Sequence, residues 1–131
     1  MASSGPGLYS SSLINFMAGC EPFQKLFIWG LANMSEYLPV RKISETDSLF
    51  VFHHPQPEYP LHILLVPKLK IRDISQFDPQ EGQFLQDVFM VVRDLVQEFN
   101  LAEQGYRLIV NGGEYQKFPQ LHFHLVSGEK S

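Results

Sequence analysis

The chain is 131 residues long, with 44% hydrophobic and 18% charged residues. That length suits one domain around one core, and the composition excludes a chain that is disordered throughout. A net charge of −4 leaves no broad basic face for a phosphate backbone, and the one cysteine, Cys20, cannot build an intramolecular disulfide framework.

Long nucleic acid is therefore not an expected partner, whereas a small anion still is. The cysteine usage suits a reducing compartment, so the cytoplasm is the expected location. Residues 1–12, Ser/Gly-rich and without a charged side chain, read as a flexible tail. Residues 13–38 read as a helical extension of one or two short helices broken near Pro22, and residues 39–131 as the folded domain. Within Leu13 to Met34 the longest run free of charge is Leu26 to Met34, too short to cross a bilayer, so no membrane span is expected. Its polar face is not basic, which disfavours a helix lying on a membrane surface.

From Val40 the pattern changes to short β-type runs. VRKIS and LFVFHH flank the Asp47-Ser48 step and predict a hairpin. A proline-punctuated loop, PQPEYP, follows, and then LHILLVP reads as a buried strand closed by Pro67. Asp78, Pro79 and Glu81 predict a helix start with an N-cap, a proline at the first position and a capping-box partner. Phe84, Leu85, Val88, Phe89, Val92, Leu95, Val96 and Phe99 then recur at spacings of three and four, one apolar stripe for packing on a sheet. YRLIVN at 106–111 and LHFHLVS at 121–127 are two further strands. The expected fold class is α+β, with about five antiparallel strands and one long helix.

In LHFHLVS, His122 and His124 are two residues apart, so both project from one face of the strand, with Gln120 expected to share it. Polar side chains at that spacing either form an exposed outer face or line a cleft. Two chemistries use such a cleft. An H-x-H pair with a third imidazole such as His62 can hold an open catalytic zinc. Alternatively, the neutral imidazole of His122 can attack phosphorus, given a group that fixes its tautomer and donors for the nonbridging oxygens.

The segment Gln120-Leu121-His122-Phe123-His124-Leu125-Val126 resembles the signature of the histidine-triad (HIT) superfamily of nucleotide hydrolases and transferases, His-φ-His-φ-His-φ-φ with φ apolar. FHHPQPEYPLHILLVPK and GYRLIVNGG look like two further stretches of that family, in the same order. The resemblance implies a HIT-like sheet and helix and a small nucleotide as substrate. It also implies attack on the nucleotide α-phosphate by His122, without metal or other cofactor, and a homodimer formed through the long helix and an adjoining strand. By the same resemblance His124 contacts the phosphate and leaving group and His62 supports the site. Asn111 and Gln116 contact phosphate or ribose, and apolar positions near Phe52 form the base pocket.

Three departures from the pattern bear on function. Gln120 stands at the first histidine position, where the resemblance assigns the orienting role to the backbone carbonyl, which survives the change. His54 stands where an aspartate reads the ribose hydroxyls, and a neutral imidazole offers one donor and one acceptor instead of a carboxylate. Lys117 stands in the loop where a small hydroxyl residue is common and is expected to add a positive charge near the phosphate, as a donor to its equatorial oxygens beside Gln116 and His124; the alternative is a solvated loop lysine. The runner-up reading, motivated by Gln120 and His54, is a catalytically weak nucleotide-binding or scaffold protein on the same fold.

Overall fold

A computed structural model of the chain describes residues 42–131, and the expected tail, the N-terminal helices, Cys20 and the first two residues of VRKIS lie outside them. The strands are β1 (Lys42–Glu45), β2 (Leu49–His53), β3 (Leu61–Pro67), β4 (Arg107–Val110) and β5 (Phe123–Ser127). They form one sheet in the order β1-β2-β3-β5-β4, with every neighbouring pair antiparallel. The long helix is α1 (Gln83–Glu98), and a short α2 (Leu101–Gln104) leads back to β4. The fold is α+β, and among the described residues no helix is long and apolar enough to cross a membrane.

Alternation along the strands divides the sheet into two faces. Leu49 and Val51 of β2, Ile63 and Leu65 of β3, and Phe123 and Leu125 of β5 turn one way. They meet Phe84, Val88, Val92 and Leu95 of α1 in the main core. Phe89, part of the expected apolar stripe, is instead 63% exposed. The opposite face carries a row in register across four strands, Phe52 beside Leu64, Leu64 beside His124 and His124 beside Ile109.

The turn between β1 and β2 is tied to α1 through one carboxylate. Asp87 Oδ2 accepts from Ser48 Oγ at 2.6 Å and from Thr46 Oγ1 at 3.1 Å. The Ser48 bond, with Thr46 and Gln83 adding to it, holds the Asp87 carboxyl below its ordinary range despite some burial.

The helix start differs from the capping box expected at Asp78. The Asp78 carboxylate accepts from the Gln80 N–H at 2.9 Å, and the Glu81 and Gly82 amides close three-residue turns onto Asp78 and Pro79. These bonds make Pro79–Glu81 a 3-10 turn, and α1 starts after Gly82. At the other end Asn100 adopts a left-handed φ of 56°, which stops α1 and restarts the chain as α2.

Candidate active site

β5 begins at Phe123, so Leu121 and His122 precede the strand. The segment before it is held by Gln120, which is only 2% exposed. Its carboxamide donates to the carbonyls of Leu69 at 3.0 Å and Pro67 at 3.3 Å, where β3 ends. The expectation that Gln120 shares the histidine face is corrected by this contact. Buried carbonyls at the end of β3 need a donor, and the carboxamide turns to them and away from the histidines.

The main-chain carbonyl of Gln120 does reach the site. It lies 2.7 Å from Nδ1 of His122, and since a carbonyl can only accept, the ring proton sits on Nδ1 and Nε2 keeps its lone pair. Two backbone amides impose the opposite tautomer on neighbouring rings. The Glu58 N–H donates to His62 Nδ1 at 3.1 Å, so the His62 proton is on Nε2, which donates to His124 Nδ1 at 2.9 Å. The His124 proton is then on Nε2. The Gln56 N–H donates to His54 Nδ1 at 2.9 Å, leaving His54 also protonated at Nε2.

The four rings form one cluster, with centroids 4.3 Å apart for His54 and His62, 5.1 Å for His62 and His124, and 4.9 Å for His122 and His124. Burial is the first cause of low basicity in all four. His54 is lowered to about 4 and His124 to about 3, with the neighbouring imidazoles adding to the effect. His62 is lowered less, because the Glu58 carboxylate opposes burial, and His122 is lowered against the raising effect of the Gln120 carbonyl. The cluster is neutral at ordinary pH.

These rings wall a cavity of about 490 Å³, a size that holds a small organic ligand. Of the residues singled out from sequence, His54, His62, Asn111, Lys117, His122 and His124 line it. Phe52, Gln116 and Gln120 do not. Phe52 is 1% exposed, sealed in the sheet beside Leu64. Gln116 donates instead to the carbonyls of Arg72 and Phe118. His53 pairs with Ile63, on the helix side of the sheet.

Gln56, Glu58, Tyr59 and Tyr115, which carry no role in the sequence pattern, also line the cavity. One signal for Gln56 and Glu58 was present. Pro55, Pro57 and Pro60 have no N–H, so few amides in PQPEYP can donate at all.

Nitrogens of His54, His62 and His124 all lie within 4.8 Å of one another, close enough to suggest a metal site. The donor chemistry does not fit one. The Nδ1 lone pairs of His54 and His62 already accept backbone N–H bonds, which puts their protons on the Nε2 atoms a metal would need bare.

One imidazole with its proton on Nδ1 and its lone pair on Nε2 thus stands beside a second with its proton on Nε2, and both line the same cavity. The comparisons give that site a family. The HIT domain model matches residues 36–131, and the chain belongs to the HIT domain family. It is 32% identical over 96 residues to a 13.2 kDa HIT-like protein of Azospirillum brasilense, covering 71% of this chain and 79% of that one. It is 28% identical over 93 residues to the purine nucleoside phosphoramidase of Escherichia coli, covering 70% and 78% respectively. The crystal structure of a HIT family hydrolase from Legionella pneumophila superposes with a TM-score of 0.64 at 27% identity, covering 71% of this chain and 85% of that one.

Proposed function

We propose that the protein is a nucleotide hydrolase or transferase that acts at a nucleotide α-phosphate through a nucleotidyl intermediate on His122. The observation that carries this is the 2.7 Å contact between the Gln120 carbonyl and His122 Nδ1, which presents Nε2 as a nucleophile. Family membership and the likeness to a phosphoramidase support the choice of phosphorus as the electrophile.

In this scheme the Nε2 lone pair forms a bond to phosphorus as the bond to the leaving group breaks. The leaving group departs with that electron pair and takes a proton from a water molecule, while the neutral His124 donates a hydrogen bond from Nε2 to its bridging atom. Nδ1 keeps its proton throughout, so the attached ring is cationic and is itself a good leaving group. Water then attacks phosphorus, the P–N bond breaks, and the nucleoside monophosphate and neutral His122 are released. Asn111 offers a polar contact to the phosphate or sugar, and His54 presents an N–H where the resemblance places an aspartate. Phosphoramidates and dinucleoside polyphosphates are the substrate classes to try first.

Incubation with labelled adenosine phosphoramidate or diadenosine polyphosphate, followed by a rapid quench, should trap label on the protein. Label undiminished in His122→Ala overturns the assignment. Micromolar nucleotide affinity with no turnover on either substrate would favour the alternative, a binding or scaffold protein. A homodimer is part of the proposal, supported by Phe89 and Met90 of α1 and Val110 of the edge strand β4, which are 63%, 50% and 41% exposed. A monomeric mass in solution would refute it.

A further inference from the structure

Gln116 and Lys117 are adjacent and point to different ends. After Asn111 the chain makes a 3-10 turn at Gly113–Tyr115, closed by the Tyr115 amide on the Gly112 carbonyl and the Gln116 amide on the Gly113 carbonyl. Gln116 then adopts extended backbone, φ −88° and ψ 122°. Its Nε2 donates to the Arg72 carbonyl at 2.7 Å and to the Phe118 carbonyl at 2.8 Å. A carboxamide has two N–H bonds, so both are spent and none remains for a ligand. Side chains alternate along extended chain, and anchoring Gln116 outward leaves Tyr115 and Lys117 on the cavity side, where both line the wall.

Lys117 is also distinguished by charge. The imidazoles that line the cavity are held neutral by burial. Lys130 lies 3.9 Å from the Glu58 carboxylate, which lines the same wall. Lys117 has no ion-pair partner among the described residues. A lysine without an ion-pair partner among the described residues therefore belongs to the lining of a cavity whose proposed chemistry builds negative charge on phosphorus.

We infer that Lys117 is a catalytic residue whose ammonium binds the nonbridging oxygens of the attacked phosphate, and that Gln116 is a positioning residue that clamps the loop to present it. This rests on the reading of the site as a phosphate site. Attack by neutral His122 places growing negative charge on the equatorial oxygens, and a preplaced cation stabilises that charge more than it stabilises the ground state.

The test uses the whole chain and two readouts, turnover of adenosine phosphoramidate and calorimetric affinity for adenosine monophosphate and adenosine. Lys117→Ala should lower kcat/KM by about 100-fold, the usual effect of removing one donor to a developing oxyanion. Lys117→Arg should stay within about ten-fold of the parent, and added ethylammonium should restore roughly ten-fold of the alanine variant's loss while leaving the parent unchanged. Affinity for the monophosphate should fall by about ten-fold in Lys117→Ala with adenosine binding unaltered. Gln116→Leu should shift the same quantities in the same direction by less.

The assignment is overturned if Lys117→Ala stays within about three-fold of the parent in turnover and monophosphate affinity, or if the monophosphate and adenosine weaken equally. If no label forms on His122 while Lys117→Ala still loses monophosphate affinity selectively, the covalent mechanism falls. The phosphate contact of Lys117 then stands.

Discussion

The two faces of the central sheet are held by different kinds of interaction. On the helix side, Leu49, Val51, Ile63, Leu65 and Leu125 are fully buried against α1. Their contribution depends on volume and area removed from water, so any apolar residue of the same size serves nearly as well. On the cavity side, His62 and His124 share a hydrogen bond whose direction is set by a backbone amide one residue class removed from the chemistry. That face depends on where protons sit, and a side chain of equal volume does not replace it. Stability and chemistry should therefore be separable by face.

His122→Ala should separate them most sharply, with turnover falling by about 10⁴-fold or more, because it removes the proposed nucleophile. Its loss of stability in urea should be no more than the roughly 1–3 kcal/mol of one buried carbonyl left without its donor. Leu125→Ala is the mirror experiment on the same segment, since Leu125 is fully buried in the core. It should cost about 2–5 kcal/mol in urea unfolding, as for other buried leucines, while the remaining folded protein keeps its nucleophile.

Acid should weaken the cavity face selectively. His54 falls from 6.5 to about 4 in the folded chain and His124 to about 3. A depressed imidazole binds its proton more tightly when unfolded, so its contribution to stability is complete above pH 6.5 and is lost as pH falls toward those lower values. At about 1.4 kcal/mol per unit, the lowering of His54 from 6.5 to about 4 accounts for no more than about 3.5 kcal/mol, reduced by residual water. Urea midpoints at pH 7 and pH 4.5 measure it, and His54→Gln should flatten the difference. The same lowering at His122 predicts that kcat/KM persists below the pH at which a free imidazole would be half protonated.

Gln120 belongs to both faces, and Gln120→Leu should show an intermediate effect. Removing the carboxamide strips the carbonyls of Pro67 and Leu69 of their donor and should cost about 1–3 kcal/mol. The carbonyl that orients His122 survives, so turnover should fall far less than in His122→Ala. The smallest effect is expected at Asp87→Ala, where the turn loses the anchors from Ser48 and Thr46, at about 1 kcal/mol.

Much of this division was legible in the chain. The apolar run of LHILLVP closed by Pro67 located β3 to the residue, and the hairpin at Asp47-Ser48 appears between β1 and β2. The three-and-four spacing located α1, but not that Phe89 points outward, because periodicity reports a stripe without its width. The side-chain destinations of Gln116 and Gln120 were not legible. Each is decided by carbonyls distant in sequence, Arg72 for one and Pro67 and Leu69 for the other, and residue identity carries no record of those partners. The protonation pattern was half legible, since the backbone carbonyl behind His122 was expected and the amides behind His54 and His62 were not.

The proline-spaced loop has a consequence for how the chain tolerates change. The instruction it gives to His54 and His62 comes from the main-chain N–H groups of positions 56 and 58, not from glutamine or glutamate side chains. A saturation library scored for turnover should accept most residues at those two sites and reject proline, the one residue without the hydrogen in question. Two positions that look freely variable in such a library would then be fixing the tautomers of two imidazoles through the main chain alone.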